Sequence, residues 1–226
     1  MKKYFMILIF NFILLNDISE YKVSLYNIPM ANVTISYQDT IFKNQESIKL
    51  QFNTETNQFA SKIFKVDNYY ETIIEKNTFD ILSFEKITYQ PGLVNKIKTI
   101  NQNNNTIYID TDTIIPKNHF NIFSLLYYLT ITPFKEVKSI IQLEREGFLY
   151  NCIIKKIAYD EQYEYELIFE LITKDQLPII KNTDMFTWAI FKENSDKKII
   201  VDKNTNIIKL CEFTLGLTSL KAYLEK

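Results

Sequence analysis

The chain has 226 residues, 46% of them apolar and 15% aromatic, enough for one sizeable core and not the composition of a disordered polymer. Lys and Arg number 26 against 27 Asp and Glu, a net charge of -1, which argues against the concentrated basic face of a nucleic-acid binder. The three glycines, Gly92, Gly147 and Gly216, lie too far apart to form a phosphate-cradling loop, and the abundance of Asn, Ile and Lys reads as drift of an AT-rich genome.

The first residues are MKKYFMILIFNFILLNDISE. Lys2 and Lys3 precede an apolar run from Tyr4 to Leu15 that is too short to span a bilayer, which needs about 20 apolar residues. Residues 1–19 therefore read as a signal peptide, with an uncleaved anchor or a buried first strand as alternatives, because no small-x-small cleavage pattern appears. The remainder, 20–226, reads as a single β-rich domain.

Period-two alternation then dominates. Tyr21, Val23 and Leu25 share one face, a turn is expected at Asn27–Met30, and Val33, Ile35 and Tyr37 complete a hairpin. Ile48, Leu50 and Phe52 predict a third strand; residues 59–64 are ambiguous, and 65–74 and 81–89 resume the extended pattern. The polar run Asn101–Asn105 predicts a turn between strands at 96–100 and 106–110. Residues 121–130, NIFSLLYYLT, break the pattern: Asn121 can cap a helix, Pro133 ends it, and apolar side chains surround it, so it must be buried. Strands follow at 137–144, 148–159 and 163–171, the last with tyrosines, Leu167 and Phe169 on one face and glutamates on the other. Residues 184–224 read as a run of short antiparallel strands, with Trp188 in the first and Gly216 between the last two. The fold expected is mainly β: an antiparallel, strongly curved sheet or incomplete β-barrel around one buried apolar helix at about 121–130, curled to hide its edges.

This order of segments resembles the bacterial exported family called domain of unknown function 3108. YKVSLYNIPMANVTI looks like that family's opening hairpin, with Ala31 where a glycine is usual, and IFKVDNYYETIIEKNTFDILSFEKITY looks like its central strands. FNIFSLLYYL looks like its helix, with Asn121 and Ser124 at the Asp-x-x-Ser places and Thr130 where an arginine often follows. Trp188, Asp196 and Gly216 match the family's tryptophan, acidic turn residue and late glycine; Ile199 and Ile200 stand where a proline is expected. The resemblance spans about 200 residues and implies a periplasmic or outer-membrane-associated protein without assigning a reaction.

No catalytic constellation is present in the residues themselves. His119 is the single histidine, in a loop entering the helix, and no HExxH, CxxC or His/Cys cluster exists, so neither a metal nor another cofactor is expected. Cys152 and Cys211 lie among apolar neighbours, which suits small buried hydrophobes, although an oxidising compartment would let them pair. Asp110 with Asp112, Glu144 with Glu146, and the group Asp160, Glu161, Glu164 and Glu166 are read as solvated sheet-face carboxylates. The aromatic surplus, fifteen Tyr and seventeen Phe, fits a packed core or the lining of a hydrophobic cavity between sheet and helix. In the second case Phe123, Leu126, Tyr127 and Trp188 would bind a lipid, a lipoprotein or another apolar ligand, with peripheral membrane contact. The leading expectation is thus a non-enzymatic exported envelope protein. A structural or assembly factor that binds an envelope protein through a sheet edge or surface comes second, favoured if the interior is filled, and a hydrolase third.

Overall fold

Alternating inward apolar and outward polar side chains give each strand one face to bury, and the computed structural model, which describes residues 17–173 and 179–225, buries all of them on one sheet. Its strands are β1 (Asp17–Leu25), β2 (Ile28–Phe42), β3 (Gln45–Thr56), β4 (Asp67–Glu75), β5 (Ile81–Gln90), β6 (Leu93–Gln102), β7 (Asn105–Tyr108) and β8 (Ile114–Pro116). They are followed by β9 (Ile140–Arg145), β10 (Phe148–Ala158), β11 (Gln162–Leu171), β12 (Asp196–Asp202), β13 (Ile208–Leu215) and β14 (Thr218–Leu224). The expected signal segment lies outside the described residues as far as position 16. Residues 17–19 begin β1, opposite Tyr37, Ser36 and Ile35 of β2.

The fourteen strands of the described residues form a single antiparallel meander in the order β8-β7-β6-β5-β4-β3-β2-β1-β14-β13-β12-β11-β10-β9. The two ends of the described chain meet where β1 pairs β14, from Tyr21 opposite Leu224 to Leu25 opposite Leu220. The free edges, β8 and β9, therefore belong to the middle of the chain, and the helix α1 (Ile122–Ile131) runs between them in sequence. Among the described residues no strand pairing closes this seam. A single bridge spans it: Phe120 N–H donates to Gln142 C=O (2.9 Å) and Glu144 N–H donates to Phe120 C=O (2.7 Å).

Helix α1 forms where expected. Asn121 accepts the Ser124 N–H (2.9 Å), Ser124 Oγ accepts the Asn121 N–H (3.0 Å), and Thr132 ends the helix one residue before Pro133. Because it is apolar all round, it is stable only inside, and Leu125 and Leu129 are essentially inaccessible. They share one cluster with Leu50, Tyr70, Ile74, Leu143 and Ile199, so the sheet wraps a single core around α1.

Two local expectations are corrected and one ambiguous segment is resolved. The first hairpin turns at Tyr26-Asn27, both with positive φ, and not at Asn27–Met30; Pro29 sits in β2 opposite Ser24, where the register shifts and a missing N–H is tolerated. Residues 60–62 form a 3-10 turn. Residues 184–191, read as a strand, form a second helix, α2 (Met185–Phe191), capped by Asp184, whose carboxylate accepts the Thr187 N–H (2.9 Å). Seven residues are too few for a helical period to show, and Phe, Thr, Trp and Ile suggest a strand by composition.

Candidate functional site

The four residues expected to line a ligand cavity are not brought together. Phe123 and Leu126 are 3% and 5% exposed. The Phe123 ring lies 4.7 Å from Phe52 and from Tyr70 and 6.0 Å from Phe84, so these aromatics pack the core. The space left beside Phe123 is about 20 Å³, room for about one water. Tyr127, half-buried and with its ring 4.9 Å from Tyr37, opens onto a groove of about 850 Å³ that also takes in Ile18, Ile131 and Ile207. Trp188 lies on α2, about half exposed, and lines a different pocket of about 280 Å³ with Glu146, Phe148, Ile179, Ile180 and Thr183.

Sequence reasoning missed a buried polar cluster at the β8–β9 seam. Lys86, on β5 and 1% exposed, places its ammonium between the carboxylates of Glu146 and Asp184. Thr183 Oγ1 donates to Glu146 (2.7 Å), Tyr70 OH donates to Asp184 (2.8 Å), and Asn68 Nδ2 donates to Tyr70 OH (3.0 Å). Beside it, Tyr108 OH and the Gly147 N–H (2.7 Å) both donate to Glu144. His119 is 3% exposed, with Nδ1 2.9 Å from Pro116 C=O. Glu144 and Glu146, read as solvated, are thus buried, because the β9–β10 turn folds inward across the seam. The only sequence signal was their adjacency to Gly147.

Burial sets the electrostatics of this cluster. It raises the Glu144 carboxyl, against the pull of His119 and of the donors from Tyr108 and Gly147. Burial also pushes Asp184 up, but Lys86 and the Thr187 donors outweigh it and hold Asp184 below the usual range. The phenols of Tyr70 and Tyr108 are raised well above normal by burial. Each of these carboxylates is engaged by donors of the fold itself, and Glu146 also borders the Trp188 pocket. Asp110 and Asp112 lie in an exposed turn after β7, and Glu164 is buried with Lys198 at 3.1 Å. Among the described residues no group of three or more His, Cys, Asp and Glu could hold a metal ion. Cys152 and Cys211 are free and buried, and burial pushes both thiols up to about 12.

A further concavity, of about 1040 Å³, lies elsewhere, in the wall between β11 and β12. These strands pair only from Gln162 with Asp202 to Glu166 with Lys198, then diverge. Phe169 and Phe191, ring centroids 5.0 Å apart, form part of its floor. Arg145, the sole arginine of the chain, lies 5.3 Å over the Phe191 ring and faces this groove and the Trp188 pocket alike. Lys197 lies 5.0 Å over the Phe169 ring, and burial lowers its affinity for a proton.

This architecture is that of a β-barrel-like protein. A solved structure described as a beta-barrel-like protein of domain of unknown function DUF1849, from Brucella abortus, superposes with a TM-score of 0.52. The match covers 94% of this chain and 97% of that one, at 11% sequence identity, so the likeness is one of fold. No protein-family model matches the chain, and no curated protein matches it.

Proposed function

We propose that this chain is a non-enzymatic, exported protein of a Gram-negative cell envelope that serves as a rigid β scaffold, binding an envelope protein on its outer surface. One observation carries the reading: beside Phe123, between sheet and α1 where a ligand cavity was expected, the described residues leave about 20 Å³. A scaffold needs no internal ligand, whereas a carrier of the kind first expected needs hundreds of Å³. That the buried carboxylates are engaged by Lys86, Tyr70, Tyr108 and Gly147 supports the non-enzymatic part. Export rests on Lys2, Lys3 and the apolar run that follows; membership of the domain of unknown function 3108 family rests on the order and spacing of the motifs around Ala31, Asn121, Trp188 and Gly216. Among the described residues no helix is long and apolar enough to cross a membrane.

The second reading, a carrier of lipid or lipoprotein acyl chains, is favoured by the groove at Tyr127, whose rim exposes Ile18 (62%) and Ile131 (47%). Two measurements on protein isolated from the periplasm of a Gram-negative host separate the readings. A scaffold yields an organic extract free of stoichiometric lipid by mass spectrometry, and photo-crosslinkers placed at exposed positions capture a recurring envelope protein. A stoichiometric lipid whose retention is lost in Tyr127→Ser would overturn the scaffold in favour of the carrier. A crosslinking panel without any recurring partner also overturns it.

A further inference from the structure

Backbone register singles out the wall groove. On β11 the even-numbered positions bond β10, since the Ile172 N–H donates to Leu149 C=O (2.8 Å) and the Tyr159 N–H donates to Gln162 C=O (2.9 Å). The odd-numbered positions therefore face β12, as the Lys203 N–H to Glu161 C=O bond (3.1 Å) shows from the other side. Pairing with β12 stops at Glu166–Lys198. Beyond it, Phe169 and Leu171 turn their N–H and C=O groups into the groove, where no described strand pairs with them. This is an open strand edge inside the wall of the sheet, a template for one more strand.

Its chemistry is specific. The slot is closed at one end, where β12 leaves β11, and there Lys197 is 6% exposed, with its ammonium donating to Ser195 C=O (2.8 Å) and Lys192 C=O (3.4 Å) and without a carboxylate partner among the described residues. Arg145 lies along the same groove with no hydrogen bond to its guanidinium among the described residues and a carboxylate oxygen of Glu146 no closer than 3.8 Å to its Nε. Five cations against three carboxylates line the groove, in a chain whose net charge is -1. An added strand would find backbone partners along the edge, aromatic rings under alternate side chains, and a cation where the slot ends.

We infer that the groove between β11 and β12 receives the C-terminal tail of a partner polypeptide, as a short strand antiparallel to β11 with its terminal carboxylate at Lys197. Extended peptides add to sheet edges in this way, with main-chain bonds supplying affinity and side-chain pockets supplying specificity. The inference rests on the scaffold reading and gives it a docking site.

The test uses the full chain and a pool of N-acetylated hexapeptides of random sequence, prepared once with free C-terminal carboxylates and once as amides. Peptides that co-elute with the protein on gel filtration are identified by mass spectrometry, and the best is labelled for fluorescence anisotropy. The free-acid pool should be retained with apolar residues at alternate positions, and its amide counterpart should bind about tenfold more weakly. Lys197→Gln should abolish the preference for acid over amide. Leu171→Pro removes a groove-facing N–H without breaking a ladder bond to β10, so it should weaken binding about tenfold relative to Leu171→Ala. Equal binding of acid and amide, or equal binding by the proline and alanine variants, would overturn the site. So would retention of neither pool, even if a partner crosslinks to another face; that last result leaves the scaffold reading standing, whereas no recurring crosslinked partner removes the scaffold itself.

Discussion

At the scale of single residues, the asparagine surplus that composition presents as drift has a structural use. Among the described residues, seven of the twelve non-glycine residues with positive φ are asparagines, and Tyr26-Asn27, Lys43-Asn44 and Asn103-Asn104 are two-residue hairpin turns with both φ positive. Type I′ turns demand that conformation, and Asn tolerates it best after Gly, so a chain with three glycines still turns its hairpins. Lys86 is the residue on which the seam depends. Lys86→Met would leave Glu146 and Asp184 buried without their cation, and should cost about 3–5 kcal/mol in urea unfolding. Glu144 makes the opposite case. Its folded carboxyl is raised, so between the unfolded value of about 4.3 and the folded value the unfolded state releases a proton that the folded state retains. Stability therefore falls as pH rises through that window and stays lower above it. Glu144→Gln, still able to accept from Tyr108 and Gly147, should be more stable than the parent at pH 7, with the gain vanishing below about pH 4. Melting temperatures across pH 3–8 check it; a gain that persists at pH 3 would contradict burial as its cause.

At the scale of elements, the two helices show what a cap and a stripe can each signal. Asn121 caps α1 and also donates from Nδ2 to Thr72 on β4 (2.9 Å), tying the helix start to the sheet. Asn121→Ala should cost about 2 kcal/mol by chemical denaturation, from the lost cap and the stranded buried hydroxyl. By contrast Trp188, half exposed on α2, should change stability by under about 1 kcal/mol on truncation to Ala. Helix α1 was legible because eight apolar residues in the eleven between Asn121 and Pro133 leave few alternatives. Helix α2 carried its own signal, Asp184 three residues before Thr187, but a seven-residue segment rich in strand formers hid it.

At the scale of the whole molecule, the sheet is continuous everywhere except at the β8–β9 seam and along the upper half of β11. Strands β2 and β3 pair over twelve residues, whereas β7 and β8 pair over three, and among the described residues the backbone link to β9 is the bridge at Phe120, past the end of β8. Opening should therefore begin at the seam. Native-state hydrogen exchange should give Ile114 and Ile115 lower opening free energies than Leu50 or Phe52, and equal protection would mean that the buried charges hold the seam as firmly as a strand ladder would.

The sequence by itself determined the strands, the helix α1, the inward aromatic faces and so the curved antiparallel sheet, because period two and a decamer apolar at eight positions are local patterns that survive in one dimension. It could not determine which polar side chains go inside. Lys86 meets Glu146 across 60 residues of chain, and Tyr70 meets Asp184 across 114. Only closure of the sheet decides that such distant groups share one dry site. The same holds for the ligand residues: Phe123 and Tyr127 are four apart on one helix, yet the tertiary structure buries the first in the core and opens the second to a groove. The open edge at Phe169 and Leu171 likewise exists only because β12 turns away, since a strand's alternation says which face is apolar and nothing about whether its edge finds a partner.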